Sequence, residues 1–482
     1  YYDTFDRRLG AERTPLYRSV ADGETSLRWE SLAGRLLRRL ATRKEPGLAT
    51  DLPAGPFRDA IAPFLDVRRL LPIARLKGHV QAAAVLDTRG KTIVRLSLEQ
   101  FSVVPEDQPK RKRPLTLLRV TPVTGYAQRA AEVAAALETE LGHEPVTADT
   151  LQGLLGLLDT PRKSGTGPLL ERGMRSDEAV KRVYANLLEV IVANEEGTRA
   201  RTDPEFLHQF RVAIRRTRAG LARLKGLFPE RTNERFKREF AWLGSITSPM
   251  RDLDVHLLEL PDYAASLPED NRAHLEPLRE HLEVEADAEQ ARLVKGLASV
   301  RYRRLIESWR TWLARPAPHR TQQPDAMRPV EDLARERIWK LHRRILKRGR
   351  KITDDTPAEA VHELRLDAKK LRYLMEFFRE LFDAKAMKEQ IRALKQLQDV
   401  LGRFNDFEVQ QAALEAAATS MAAEDAAPLE TVVVMGRLIE TSRRNQDAAR
   451  AEIRGRIATF AEPVNRARAA ALFAPGPEVR SA

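Results

Sequence analysis

Two histidines carry the first chemical signal. His208 begins the run HQFRVAIRRTR at 208–218, and His362 begins HELRLDAKKLR at 362–372. Each is followed three residues on by Arg211 or Arg365. Next come the pairs Arg215-Arg216 or Lys369-Lys370, then Arg218 or Arg372. Imidazole, guanidinium and ammonium groups at this density suit an anion rich in oxygen acceptors. Arg presents a planar fork of donors that matches phosphate oxygens. A neutral imidazole still donates one hydrogen bond, and a nearby phosphate favours the protonated ring. Metal ligation is not expected, because neither His has a second His, Asp or Glu at i+3 or i+4 on its own face.

The two runs are copies. His362 follows His208 by 362 − 208 = 154 residues, and the same offset continues without a gap. Leu227-Phe228 answers Leu381-Phe382, Leu243 answers Leu397, and Asp252 and Val255 answer Asp406 and Val409. One supersecondary unit is therefore used twice, which implies two half-sites facing one anionic ligand.

The element that must position these groups is a helix. With about 100° per residue, Arg211, Arg215 and Arg218 fall in an arc of about 80° beside His208. Phe206, Phe210, Ile214, Leu221, Leu224 and Phe228 collect on the other side, which must pack into a bundle. His362, Arg365, Lys369 and Arg372 repeat the stripe over an apolar face of Leu364, Leu371, Met375, Phe378 and Phe382, with Arg216 and Lys370 as flanking cations. A solvated helix face is the plain alternative. Against it, no Asp or Glu occupies i+3 or i+4 from His208 or Arg211, and uncompensated like charges destabilise a helix. Lys340, Arg344 and Lys347 share a face on another helix and are expected to extend the second stripe. Asp252 and Asp406 are expected to cap helices that start after breaks at Ser248-Pro249 and Gly402.

Along the chain, residues 1–120 alternate turn signals with short strand-like segments. Val80–Leu86 and Thr92–Leu98 flank Thr88-Arg89-Gly90 as a hairpin. A basic patch at Lys110–Pro114 precedes helix patterns at Tyr126–Leu141 and Leu151–Leu158. A linker follows around 161–175. From Ser176 onward the pattern is helical. Asp203-Pro204-Glu205 reads as an N-cap, a proline at the first helical position and an acid in the first turn. Thr356-Pro357-Ala358-Glu359 reads the same way. Arg315–Pro329 joins the two halves.

Composition narrows the partners. The 482 residues hold 82 Lys+Arg against 69 Asp+Glu, a net charge of +13, which favours polyanions. There is no cysteine, which excludes disulfides, thiolate metal sites and cysteine nucleophiles. The longest apolar runs, such as Thr431–Met435, are too short to cross a bilayer, so no membrane partner is expected.

The paired motifs resemble the CHAD family, the "conserved histidine α-helical domain". The matching residues are His208 with Arg211, Arg215, Arg216 and Arg218, the segment Arg251-Asp252-Leu253-Asp254, His362 with Arg365, Lys369, Lys370, Leu371, Arg372 and Tyr373, and Leu401-Gly402 with Asn405-Asp406. The resemblance covers about 176–470. It implies two pseudo-symmetric four-helix bundles, in halves of about 176–314 and 330–470, whose basic stripes line a central groove or pore. It further implies binding of inorganic polyphosphate and association with polyphosphate granules in the cytoplasm. Lys369-Lys370, where the first copy has Arg215-Arg216, keeps the charge and loses the bidentate fork.

The segment 1–160 is similar to a CYTH domain, a triphosphate-tunnel fold. Tyr1-Tyr2-Asp3-Thr4 carries the likeness, with Leu117–Val123 before Gly125-Tyr126. Tunnel chemistry needs carboxylates that hold a divalent cation against a triphosphate. The strand Leu115–Arg119 has none, and Leu96–Gln100 keeps only Glu99. Arg18, Arg28, Arg75 and Arg95 either line a residual anion tunnel or face solvent. The expected fold is thus an α+β, antiparallel N-terminal domain, CYTH-like, joined to an all-α CHAD domain at 176–476.

Three functions stay open at this level. The first is a polyphosphate binder with no cofactor and no catalysis, using His208, Arg211, Arg215, Arg216, Arg218, His362, Arg365, Lys369, Lys370, Arg372, Lys340 and Arg344. The second is a non-specific nucleic-acid binder, disfavoured by the scarcity of aromatic platforms near the motifs, Tyr373 excepted. The third is a metal-dependent triphosphatase.

Overall fold

The computed structural model describes residues 1–21, 23–31, 35–105, 112–142, 170–424 and 427–475. The helix pattern at Leu151–Leu158, most of the linker and the start of the Lys110–Pro114 patch lie outside them. The chain divides into two compact units, Tyr1–Gly165 and Thr166–Ala482.

The first unit is built on antiparallel sheets. Strands β1 (Tyr2–Asp3), β2 (Leu16–Ala21), β3 (Glu24–Glu30), β4 (Leu36–Ala41) and β5 (Leu71–Pro72) form one sheet in the order β4-β3-β2-β1-β5. Its inward residues Leu16, Leu27 and Trp29 pack on Phe57, Ile61 and Leu65 of a helix at Pro56–Leu65. A second sheet has the order β6-β7-β8, with β6 at Ala74–Leu86, β7 at Thr92–Pro105 and β8 at Arg113–Pro122. The expected hairpin is present and longer than its sequence signal, pairing Ala74 with Pro105 through to Leu86 with Thr92. In β7 apolar and polar residues alternate only from Val94 to Glu99, and in β6 the alternation runs from Ala74 to Gln81, mostly ahead of the segment Val80–Leu86 expected as a strand.

The second unit is helical. In chain order α1 (Arg8–Ala11), α2 (Pro56–Leu65) and α3 (Ala127–Leu141) belong to the first unit, and α4 to α13 to the second. The first half holds α4 (Ser176–Arg199), α5 (Pro204–Arg223), α6 (Glu230–Ala265), α7 (Glu276–Ala298) and α8 (Val300–Ala314). The second holds α9 (Val330–Gly349), α10 (Ala358–Phe377), α11 (Ala384–Ala423), α12 (Leu429–Phe460) and α13 (Pro463–Phe473). The 154-residue offset carries α5 onto α10 end to end, and the first residues of α4 and α6 onto those of α9 and α11. Each half holds five α-helices among the described residues, one more than the four-helix bundle expected from the resemblance.

Local chemistry explains the helix starts. Asp203 caps α5, its carboxylate accepting from the N–H groups of Glu205 at 2.9 Å and Phe206 at 3.3 Å. The matching start of α10 differs from expectation. Pro357 is its N-cap and makes no side-chain cap, while Thr356 Oγ1 accepts from the N–H of Thr353 at 2.7 Å. The expected breaks at Ser248-Pro249 and Gly402 do not occur either. Helix α6 runs through Pro249 for 36 residues and α11 through Gly402 for 40. Packing on both neighbours outweighs the local cost of one proline or glycine. Asp252 and Asp406 are therefore mid-helix residues rather than caps.

The halves share one apolar core, which runs from Val180, Leu207 and Phe210 to Leu364, Leu371 and Phe378. The motif helices meet at Gly220, where a Cβ would lie 2.7 Å from Tyr184 and 3.0 Å from Phe377 of the other half. Glycine permits that approach. A second, separate core joins the far ends of the long helices. It gathers Leu260, Tyr263, Leu278 and Leu282 with Leu414, Met421, Met435 and Leu438. Gln410 Nε2 donates there to Tyr263 Oη at 2.8 Å.

Candidate functional site: a bipartite cation cluster

The cations of α5 and α10 converge. Arg211 on α5 lies close enough to Arg215, Arg251 and Arg218 for their charges to act on it. Lys369 on α10 feels Arg365 and Arg372 of its own helix and Arg215 of the other half. The stripes lie opposite the buried apolar faces, with Arg218 and His362 exposed, but they are not fully in water. Arg211, Arg215, Arg365, Lys369 and Arg372 are all only partly exposed. Burial, reinforced by Arg215, pulls the Arg211 guanidinium down to about 10. Burial, then Arg365 and Arg215, pulls the Lys369 ammonium down to about 8. A solvated helix face does not do this; water would screen each charge.

Hydrogen bonds divide the cations into two classes. Arg365 Nη2 donates to Asp406 Oδ1 at 3.1 Å. Arg372 Nε lies 3.3 Å from Glu376 Oε1, and Arg216 of the first half donates to the same carboxylate. Arg344 Nη2 donates to Asp367 Oδ1 at 2.9 Å, with Arg348 Nη1 at 2.6 Å on Oδ2. Arg211 instead donates to Thr247 Oγ1 at 2.8 Å and to the carbonyl of Gly244 at 3.2 Å, neither of them an anion. Among the described residues Arg211, Arg215, Arg218 and Lys369 have no carboxylate within ion-pair distance. Three come from the first half and one from the second.

The histidines flank this group differently. His362 is exposed, and its Nδ1 is 2.8 Å from Asn405 Oδ1, which fixes the ring. His208 is partly exposed. A third histidine, His342, is a core residue. It is 1% exposed, stacked on Trp339 with centroids 5.7 Å apart and tilted against Phe460.

Two sequence expectations move. Arg344 does not prolong the second stripe; it joins Arg348 and Arg223 around the buried Asp367, on another side of α10. Lys370 faces that same group. Lys340 is exposed and makes no ion pair among the described residues. Tyr373, the one aromatic expected to be free for stacking, is 9% exposed and packed away. Glu376 escaped the sequence reading, and two residues quoted there in other roles join the site: Arg251, beside Arg211 and Arg215, and Asp406, which with Glu376 occupies second-half cations. Asp406 was visible as a shared position, but only a continuous α11 turns it toward Arg365.

Residues 182–415 match the family model for the CHAD domain. The helical unit contains a CHAD domain. A crystal structure of the CHAD domain from the plant Ricinus communis is similar, with 27% identity and a TM-score of 0.51 over 61% of this chain and 95% of that one. A structure described as PptA from Streptomyces chartreusis has 17% identity and a TM-score of 0.46, covering 59% of this chain and 99% of that one. No curated protein matches the chain. In the first unit, antiparallel sheets are present. Arg18 pairs with Glu45 at 3.5 Å, Arg28 with Glu30 at 3.1 Å and Arg119 with Glu99 at 2.8 Å. Arg75 and Arg95 are exposed. No helix among the described residues is long and apolar enough to cross a membrane.

Proposed function

We propose that the CHAD domain holds inorganic polyphosphate between α5 and α10. The observation that supports this is the set of half-buried cations that make no ion pair among the described residues, Arg211, Arg215 and Lys369, drawn from both halves. Cations kept partly out of water and unpaired gain most from a ligand that brings its own charge. A linear chain of identical phosphates, with no bases to read, fits a site with no stacking platform. Tyr373 is buried, so single-stranded nucleic acid lacks its usual support here. The pairing of the halves as pseudo-symmetric bundles around this ligand, and residence at polyphosphate granules, belong to the same proposal.

The first unit is proposed as CYTH-like and as a non-hydrolytic companion. Its one acid on the relevant strand, Glu99, is already held by Arg119 at 2.8 Å and by Ser97 Oγ at 3.0 Å. A carboxylate neutralised in this way is a poor cation ligand.

Titration with long-chain polyphosphate tests the binding proposal, comparing the wild type with a variant in which Arg211, Arg215, Arg365 and Lys369 are all Gln, at two salt concentrations. The wild type should bind with a steep inverse dependence on salt. Equal binding by both proteins rejects the site. Stronger competition by single-stranded nucleic acid than by polyphosphate, at matched salt, rejects the ligand.

A further inference from the structure

Gly244 of α6 brings two guanidiniums of the first half together. Its carbonyl accepts from Arg211 Nη1 at 3.2 Å, and a Cβ added to it would lie 2.8 Å from Arg218 Nη1. The missing side chain leaves the room that Arg218 takes. Arg215 lies between the two on α5, and none of the three makes an ion pair among the described residues. Asp252 acts on Arg211 through its charge without a hydrogen bond. The second half departs from this at matching positions. Gln398 stands in place of Gly244, with its side chain buried and neither amide atom hydrogen-bonded among the described residues. Asp406 holds Arg365 at 3.1 Å, and Glu376, where the first half has Ala222, holds Arg372 at 3.3 Å. Only Lys369, in place of Arg215, keeps its charge free of an ion pair there.

We propose that the cluster takes polyphosphate by a chain end, with the terminal phosphate on Arg211, Arg215 and Arg218 and the following bridging phosphates running toward Lys369. The proposal rests on the reading of this cluster as a polyphosphate site. The interior of a linear phosphate chain is the same in both directions, and a symmetric pair of half-sites would suit it. The two half-sites here hold different charge, and only at its end is the chain equally one-sided. A terminal phosphate carries about two negative charges near neutral pH and presents three free oxygens. Several guanidinium forks can share those oxygens. A bridging phosphate carries about one charge and needs less opposite it. Lys369 supplies that much once Asp406 and Glu376 have taken Arg365 and Arg372.

The test uses the full chain and linear polyphosphates of defined length, from tripolyphosphate to a long chain. Analytical ultracentrifugation reads how many protein molecules each polymer carries at saturation. End binding allows no more than one protein at each end, however long the chain. Capping both terminal phosphates of the long chain as alkyl phosphoramidates removes a charge from each end. It should weaken binding at least about tenfold, the size of lost charge-assisted hydrogen bonds. Gly244→Gln copies the second half into the first. The atom it meets is the far end of a flexible arginine, so the melting temperature should hold while the preference for free over capped ends falls. Arg218→Gln adds no bulk and should lower the same preference. Protein numbers that rise with chain length, or equal binding of capped and free chains, overturn end binding and leave the polyphosphate reading standing. No binding of any chain rejects both.

Discussion

Arg365 Nη2 sits 3.1 Å from Asp406 Oδ1, whereas Arg211, at the matching place in the first half, has no such bond to Asp252. The two copies hold the same residue types and use them differently. In the second half an internal carboxylate occupies the cation that a ligand would want. In the first half the cation donates to neutral acceptors, Thr247 and the Gly244 carbonyl, while Asp252 acts on it through its charge without a hydrogen bond.

On the proposed function, Asp406 would compete with polyphosphate for Arg365. Asp406→Asn should raise polyphosphate affinity about two- to fivefold, the range expected for releasing one partly exposed ion pair. Isothermal titration at fixed salt reads this directly. Unchanged or weaker binding would show that Asp406 positions Arg365 instead of masking it.

Arg215 is the first-half cation that acts on Lys369 across the halves. Arg215→Gln should weaken binding and flatten the plot of log K against log salt, by an amount close to the loss of one phosphate contact. Lys340→Gln, remote from the cluster, should leave the slope where it was. The two slopes are compared over the same salt series.

Lys369 should make the proposed polyphosphate binding pH-dependent. Its folded pKa is held down at about 8, and a bound anion stabilises the protonated form and raises that value. Binding thus takes up a proton above about pH 8, so affinity falls as pH rises through this range. Lys369→Arg should flatten the profile between pH 7 and 9. A profile that keeps its slope in that variant assigns the effect to another group.

His342 predicts acid sensitivity. Burial among Trp339 and Phe460 pulls its pKa down to about 4, below the ordinary imidazole value of 6.5. The unfolded chain then binds more protons between those values, and stability is lost as pH falls from 6.5 toward 4. Above pH 6.5 this group adds no pH dependence. The first half has Leu188 at the matching position, so His342→Leu is a substitution the fold already accommodates. It should flatten the melting temperature across that window, as differential scanning fluorimetry can show.

Asp367 is 2% exposed and holds Arg344 and Arg348, with Arg223 of the other half 3.8 Å away. Asp367→Ala leaves those cations facing one another. The expected loss is about 1–3 kcal/mol, below the cost of breaking a fully buried pair because the arginines can turn to water. Urea denaturation measures it, and a loss under 0.5 kcal/mol would make the cluster incidental ~.

Much of this protein was decided by local pattern and is legible in the residues alone. The 154-residue repeat is read by comparing the chain with itself, and the His-x-x-Arg stripes, the Asp203 cap and the hairpin through Thr92 depend on neighbours a few positions away. Helical periodicity and capping act over that range. The family resemblance at 176–470 rests on the same motifs, and the model match at 182–415 agrees with it. Tertiary structure decided what the stripes face. Pro249 and Gly402 read as breaks, yet packing carries α6 and α11 straight through them. That continuity turns Asp406 toward Arg365 and sets Thr247 beneath Arg211. It also separates cations alike in sequence: Arg216 bonds Glu376, Arg344 bonds Asp367, and Arg215 and Lys369 make no ion pair among the described residues. A periodic pattern shows that a charge lies on a face. Whether another charge meets it there depends on residues tens to more than a hundred positions away, brought together only by the packing of helices.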